Sequence, residues 1–372
     1  MISLIIPYRN RDVVRVRRCL ASLAAQSFTN YEVLLIDSGS EITLAQQVQQ
    51  LTTEYEFCNY IYLPTQGLVW NKSYAINVGM NACVGDIIII VDVDLIFEST
   101  FLSKIKGLNF EGMYYNYKCY YLPQNYNYTT HNWAIFNTTN FKHSGLSTGL
   151  VIATKADFIA LNGYDEYYQG WGLEDDDFCM RLSKLNLTQT YLNETEYITA
   201  HQYHPESYAN VPTTWYIHLL QYMHSTSTIK RNDNGAGVLL TPQHRICLHG
   251  DYNTLSKIKI TPKEFLAIAG FNEIYTVFYN LAPNTALEIN YIQPKALTAN
   301  TFMYKLKNML LSKIIKNNII PNYSSLLGYS YLTTEKLHEF MLNFISQNRN
   351  LLADYCIEYV PNTSLIIKLI KK

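Results

Sequence analysis

The chain has 372 residues, of which 48% are hydrophobic and 16% charged, with a formal net charge of −1. That is apolar material for one large domain or two ordinary ones, without the basic surplus of a general nucleic-acid binder. The seven cysteines are dispersed with no CxxC pair, which argues against a zinc knuckle and for free thiols in a reducing compartment.

The opening MISLIIPYRN is too short an apolar run, and too poor in basic residues at its start, for a signal peptide. Residues 3–7 read instead as a buried strand. Residues 13–26 have helical spacing, with Val13, Val16, Leu20 and Leu23 on one face. Residues 31–37 are a second strand, ended by Ser38-Gly39-Ser40. A helix over 43–55, a strand over 60–63 and a helix over 71–82 follow. Residues 86–91 are a fourth strand, carrying Ile87-Ile88-Ile89-Ile90-Val91, a run too short to span a bilayer. Continuously apolar strands separated by helices indicate an α/β fold with a parallel sheet covered on both faces. Ligands of such sheets bind beyond the carboxyl ends of the strands, here residues 7–11, 37–40 and 92–94.

Residues 111–148 are rich in Tyr and Asn and weakly periodic, which suits irregular structure around a site. A short helix is expected over 156–161. Another runs from Asp175 to Lys184, with Phe178, Leu182 and Leu185 turned inward. Asn232-Asp233-Asn234-Gly235-Ala236-Gly237 reads as a linker. It divides a domain of residues 1–235 from a C-terminal one, 236–372, where amphipathic spacing over 261–280, 299–317 and 333–347 predicts a mainly helical subdomain. The terminal SLIIKLIKK reads as a last strand or helix with a basic end, peripheral membrane contact being the other reading. A cytoplasmic protein is expected, and such a terminus would dock at the inner face of the membrane.

Three constellations carry chemistry. Asp92-Val93-Asp94 ends the most apolar strand. Two carboxylates there converge on a hard cation and, through it, on a diphosphate. The plainer reading is an acidic turn, but close carboxylates at a buried strand end are costly without a positive partner. Glu174-Asp175-Asp176-Asp177 opens a helix, and the free N–H groups there account for one or two of the four. Asp177 can pair with Arg181 one turn on. The remainder suits a carboxylate that takes the proton of a sugar hydroxyl. Trp171 offers a ring for sugar stacking, and Gly170 and Gly172 would let it move as a lid. His201 and His204, three apart, suit a shared metal; alone, such a pair is usually surface. Arg9, Asn10 and Arg11 follow the first strand, and Lys72 begins a helix near the same edge. Each is ordinary surface charge taken singly.

Together, IIPYRNR, WNKSYAINVG, VDVDL, STGLVIATKADFIALNGY and GWGLEDDDFCMRL stand in the order used by the β-1,4-galactosyltransferase family. The chain resembles that family over residues 1–210, and its first three motifs also resemble the inverting family-2 glycosyltransferases. The resemblance implies a GT-A fold, a Rossmann-like nucleotide-binding half joined to an acceptor-binding half. It implies transfer, with inversion, from a UDP-sugar to an acceptor hydroxyl using Mn²⁺, with Mg²⁺ as an alternative. Carried over, Pro7, Arg9 and Arg11 hold the uridine diphosphate, with Asp37 at the neighbouring strand end. Trp70 and Lys72 lie along the nucleotide. Asp92, beside Val93, faces the donor ribose or sugar, and Asp94 and His204 ligate the metal. Trp171 is the lid residue. Glu174 orients donor or acceptor, Asp175 is the general base, and Asp176 binds acceptor hydroxyls.

Two positions depart from the family. His201 stands where it commonly has a Met ligand, and imidazole in place of a thioether broadens the metal preference beyond Mn²⁺. Leu146 falls where galactose-specific members have Tyr, leaving room for an N-acetyl group and favouring UDP-GalNAc over UDP-Gal. The implied acceptor is a glycan or glycolipid of surface-polysaccharide synthesis, with no nucleic-acid partner. The rival readings are a non-catalytic carbohydrate-binding protein on the same scaffold and a DxD-dependent sugar-nucleotide hydrolase or nucleotidyltransferase.

Overall fold

The first strand, β1 (Ile2–Tyr8), sends Ile2, Leu4, Ile6 and Tyr8 into one apolar cluster and Ile5 into another, so it is buried on both faces. The structure is a computed structural model and describes residues 1–128, 141–143, 149–170, 172–205, 213–248, 250–262, 267–293 and 332–372. The chain divides into two compact units, Met1–Gln66 with Trp70–Leu240, and Gly67–Val69 with Thr241–Lys372.

In the first unit, β1 is followed by α1 (Val13–Ala24), β2 (Tyr31–Ser38), α2 (Ile42–Thr52), β3 (Cys58–Leu63), α3 (Lys72–Ala82), β4 (Ile87–Ile90), β5 (Leu95–Phe97), α4 (Phe101–Lys106), β6 (Met113–Asn116), β7 (Tyr120–Tyr121), β8 (Lys142–His143), β9 (Val151–Thr154), α5 (Lys155–Ala160), α6 (Glu174–Lys184), β10 (Thr188–Tyr191), β11 (Thr199–His201) and α7 (Thr213–Ser225). Seven strands form the main sheet in the order β10-β6-β9-β4-β1-β2-β3. Side chains of α1, α2 and α4 pack on one face, and those of α3, α5 and α6 on the other. Phe178 and Leu182 of α6 are fully buried and Leu185 packs beside them, as the spacing predicts.

The strands legible in the sequence, β1 to β4, are parallel as expected. The all-parallel expectation is corrected at β9, which runs antiparallel to both β4 and β6. Val151, Ile152 and Ala153 are all fully buried. A strand buried on both faces has no alternation, so its own pattern carries no sign of its direction. Chain connection decides it instead: β9 runs straight into α5, whose start is closed by a capping box between Thr154 and Asp157.

Residues 232–237 are corrected from linker to strap. The Asn232 amide donates to the carbonyls of Tyr164 (2.7 Å) and Asn162 (2.9 Å). The Asn81 amide donates to the Ala236 carbonyl (2.7 Å), and Gly237 N–H donates to Glu166 Oε1 (2.6 Å). Polar, glycine-rich composition signals turns, and here the turns are fastened to α3 and to the 162–166 segment.

The second unit also departs from expectation. Among its described residues it holds a four-stranded sheet, in the order β12 (Lys257–Ile260), β13 (Ala286–Ile292), β15 (Ser364–Lys371), β14 (Leu352–Val360). Helices α8 (Ala267–Asn280) and α9 (Thr334–Asn348) share one apolar cluster with it. The "mainly helical" reading is therefore corrected to mixed α/β, and the helix expected over 299–317 lies outside the described residues. SLIIKLIKK is a strand paired on both sides, with Leu365, Ile367 and Leu369 fully buried, so this apolar run is core. No described helix is long and apolar enough to cross a membrane. All seven cysteines are free.

Candidate active site

Two sheets deliver the site. β4 ends at Ile90, and the chain turns through Asp92-Val93-Asp94 into β5. There β11 pairs antiparallel with β5 in a register that sets His201 opposite Leu95, beside Asp94. The ladder is extended by Gln202 N–H, which donates to the Asp94 carbonyl at 2.8 Å. His204 follows two residues later. His201 Nε2 lies 3.5 Å from Asp94 Oδ1, and His204 Nε2 lies 3.1 Å from Asp94 Oδ2.

These three residues fit a metal ion. One ligand atom from each lies within 4.8 Å of the others. Asp94 Oδ1 is buried and accepts no hydrogen bond among the described residues. His204 Nδ1 donates to the Pro205 carbonyl at 2.8 Å, leaving Nε2 to face Asp94. A neutral imidazole then points a lone pair at a carboxylate, and only a proton or a cation reconciles the two. The hydrogen bond to Asp94 raises the His204 proton affinity, whereas burial lowers that of His201. Burial pushes Asp94 up, but the His204 hydrogen bond and the charges of both imidazoles outweigh it, and the carboxyl lies below its ordinary value. Two imidazoles and one carboxylate form a borderline donor set for a divalent ion.

The second cluster forms around Lys72. Asn71 caps α3 by accepting from Tyr74 N–H, which places Lys72 on the first helical turn. An ammonium is unfavourable at that helix end, and carboxylates compensate. Lys72 Nζ donates to Asp175 Oδ2 at 3.0 Å, and lies 3.7 Å from Asp92 Oδ1 and 3.8 Å from Glu174 Oε1. Burial alone would strip Lys72 of its proton, but the three carboxylates reverse this and hold it more firmly charged than usual. Asp92 is raised by its recessed position, Lys72 opposing and Asp94 and Asp175 adding.

The four acidic residues of α6 thus part company. Asp177 is fully buried and pairs with Arg181, Nε to Oδ2 at 2.6 Å, the pairing read from the spacing. Arg181 also donates to the Gly163 carbonyl at 2.9 Å, so this pair fastens α6 to the preceding turn. Asp176 is exposed on the same turn, outside the set within salt-bridge reach of Lys72. Glu174 and Asp175 face the Lys72 cluster. Glu174 Oε2 also accepts from Gly172 N–H at 3.1 Å, and Gly170 N–H donates to the Trp70 carbonyl at 2.7 Å. Gly170 and Gly172 have φ of 86° and 111°, a region that side chains with a Cβ rarely adopt. The glycines therefore answer a conformational demand of this turn. Trp171 and Leu146 lie outside the described residues.

At the remaining strand ends, Pro7 and Val93 are buried, and Arg9, Arg11 and Trp70 are half-buried. Asp37 is fully buried; its carboxylate accepts from Tyr60 Oη (2.7 Å) and Ser40 N–H (2.8 Å). Burial raises its proton affinity, which these bonds and the Arg9 charge oppose. The Arg11 charge acts on Asp94.

Glu174 gives a pH prediction. Its carboxyl is pushed up to about 7, by burial first and then by Asp175, with Lys72 opposing. An acid raised on folding contributes stability that is complete below its unfolded value and lost as pH rises through the folded one. The nucleotide-free protein should therefore lose stability between pH 5 and 8, on the order of 3 kcal/mol from this group. Glu174→Gln should flatten that slope in thermal melts; parallel wild-type and variant curves would refute the assignment.

Residues 3–155 match glycosyl transferase family 2, and residues 132–205 match the N-terminal domain of galactosyltransferase.

The N-terminal unit resembles the glycosyltransferases of family 2.

The fold of this unit is GT-A, mixed α/β with a parallel-rich central sheet. The xylosylprotein 4-β-galactosyltransferase of Caenorhabditis elegans is 51% identical over 43 residues, 11% of this chain and 15% of that protein. Among solved structures, S. aureus TarS 1–349 in complex with UDP is 20% identical with a TM-score of 0.42, covering 55% of this chain and 61% of that one. A second structure of S. aureus TarS is 19% identical with a TM-score of 0.42, covering 55% and 37%. The chain thus spans less than two thirds of each of these relatives.

Two neighbours of the site escaped the sequence reading. Gln202, between the histidines, is fully buried and bonds to α1. Arg15 lies in the run Arg15-Val16-Arg17-Arg18, where it resembles ordinary helix-surface charge. The signal for Gln202 was present: a polar residue flanked by two candidate ligands on a strand that must pair.

Proposed function

We propose that the N-terminal unit is an inverting, metal-dependent hexosyltransferase that moves a sugar from a UDP-sugar to a hydroxyl of a glycan or glycolipid acceptor. The observation that carries this reading is the split of the Asp92-Val93-Asp94 turn between two clusters. Asp94 belongs with His201 and His204, and Asp92 belongs with Lys72, Glu174 and Asp175. A cation site and a carboxylate base side by side, at the strand ends where nucleotides bind, suit a single displacement.

Asp94, His201 and His204 would hold the metal, which when bound neutralises charge on the departing diphosphate. Arg9 and Arg11 line the same edge and add fixed positive charge. Lys72 holds Asp175 by Oδ2, leaving Oδ1 to take the acceptor proton as the hydroxyl oxygen attacks the anomeric carbon. Glu174, half protonated at neutral pH, steadies the turn through Gly172 and adds only part of a second negative charge beside the base. Asp176, exposed on the same turn, would meet acceptor hydroxyls.

UDP-GalNAc is favoured over UDP-Gal because Leu146 leaves room for an N-acetyl group, and surface-polysaccharide or glycolipid synthesis is the favoured setting. Imidazole from His201 in place of a thioether predicts that Mg²⁺ and other divalent ions substitute for Mn²⁺ more readily than in a Met-ligated site.

A UDP-release assay tests the reading over a panel of UDP-sugars and glycan acceptors, with Mn²⁺, Mg²⁺ or EDTA, on wild type, His201→Met and Leu146→Tyr. Acceptor-dependent UDP release abolished by EDTA is expected. His201→Met should narrow the metal range and Leu146→Tyr should shift preference toward UDP-Gal. Release that ignores acceptor would point to a hydrolase, and sugar binding with no release to a carbohydrate-binding protein.

A further inference from the structure

Arg15 is a half-buried cation whose partners do not exhaust it. It stands on the first turn of α1, with its side chain 17% exposed. Its backbone N–H donates to Asp12 Oδ1 at 2.9 Å, and its Nε donates to the other oxygen of the same carboxylate. That pairing caps the helix and explains half of the guanidinium. Nη1, on the other branch, is buried and has no hydrogen-bond partner among the described residues. A desolvated, charged donor without an acceptor is unfavourable, and a cap needs only one branch of the fork.

The place of Arg15 says what acceptor would satisfy it. Its carbonyl accepts from Gln202 Nε2 at 3.0 Å, and Gln202 N–H donates to the Asp94 carbonyl at 2.8 Å. Gln202 is fully buried between His201 and His204 in sequence, so α1 is fastened to the peptide that carries the metal-ligand set. A fixed cation beside a cation site repels whatever metal enters. The two coexist comfortably only when an anion lies between them, and a fork-shaped guanidinium beside a divalent ion matches the oxygens of a diphosphate.

We propose that Arg15 is a further donor-binding residue, its free Nη1 donating to the diphosphate of the nucleotide that the Asp94-His201-His204 site engages. The inference rests on the UDP-sugar reading above. It assigns Arg15 to the phosphates in addition to Arg9 and Arg11, and makes Gln202 the strut that fixes the distance between this guanidinium and Asp94.

The test is calorimetric binding of UDP in the presence of Mn²⁺, and of Mn²⁺ alone, to the full chain and to Arg15→Met. The variant should bind UDP about 10- to 100-fold more weakly, and Mn²⁺ alone as tightly as wild type or more so, because a repelling charge is gone. Unchanged UDP affinity would overturn the proposal. So would a parallel loss of UDP and Mn²⁺, which would make Arg15 a support for the ligand triad. Wild type that binds Mn²⁺ but no UDP would overturn the donor reading itself. Should circular dichroism show Arg15→Met unfolded, Arg15→Lys decides: it keeps the charge without the second branch, and wild-type UDP affinity in it would refute the role of Nη1.

Discussion

Asp175→Asn is expected to lower kcat by roughly 10²–10⁴-fold, the range a well-placed base supplies, while UDP and Mn²⁺ still bind. The structure singles out Asp175 among four adjacent carboxyls by what each is already doing. Asp177 is fully buried in its pair with Arg181, and Asp176 is exposed. Glu174, pushed up to about 7, is half protonated at neutral pH and bonded to Gly172 N–H. Asp175 combines a fixed oxygen with an unpartnered one inside the Lys72 cluster: Oδ2 accepts from Lys72 at 3.0 Å, and Oδ1 has no hydrogen-bond partner among the described residues, a split that Asp177 shares only within its fully buried pair with Arg181. An amide of the same shape keeps one oxygen for Lys72 and cannot take a proton, so binding persists and the chemical step fails. Single-turnover measurement with saturating donor separates the two. Wild-type kcat in the variant would remove Asp175 as the base, and a matching loss of UDP affinity would recast it as part of the donor pocket.

Much of the fold of the first 100 residues was legible because β1, β2 and β4 are apolar runs ended by turns and α1 keeps a clean apolar face. Val16, Leu20 and Leu23 of α1 are fully buried, as their spacing predicts. The site was legible as a set of motifs, and the register of β11 on β5 explains why distant motifs meet: pairing His201 with Leu95 is what carries the histidines to Asp94. What escaped was information held in pairing rather than in local pattern. The direction of β9 is invisible in a strand buried on both faces. In β14, Leu352-Ala353-Asp354-Tyr355-Cys356 mixes an acid into the run, and only its partner explains it: Asp354 is buried because Arg245 Nε donates to it at 3.0 Å. Lys72 was given a place along the nucleotide by the family resemblance alone; sequence shows only a lone cation at a helix start, because its three carboxylate neighbours come from two other segments of the chain.

Lys72→Met should therefore do more than weaken donor binding. Removing the ammonium leaves Asp92, Glu174 and Asp175 facing one another in a recess with nothing positive between them. Breaking one side of a buried ion pair costs about 3–5 kcal/mol, and the lower end applies here because Asp92 keeps 45% of its side chain exposed. The loss should depend on pH with a definite sign. Asp92 and Glu174 are already raised, and Lys72 is an influence that holds each of them down. Without it both rise further, so the variant gains stability as pH falls and these carboxyls take up protons, and loses it as pH rises past 7. Thermal melts should show Lys72→Met close to wild type at pH 5 and well below it at pH 8. Turnover at neutral pH should fall by roughly 10²–10³-fold, because Asp175 loses the contact that orients it. Lys72→Arg, which keeps the charge in a wider and less adaptable head, should recover most of the stability and less of the turnover. A Lys72→Met protein whose melting curve tracks wild type across this pH range would show that the three carboxylates do not depend on Lys72, and the hub would have to be abandoned.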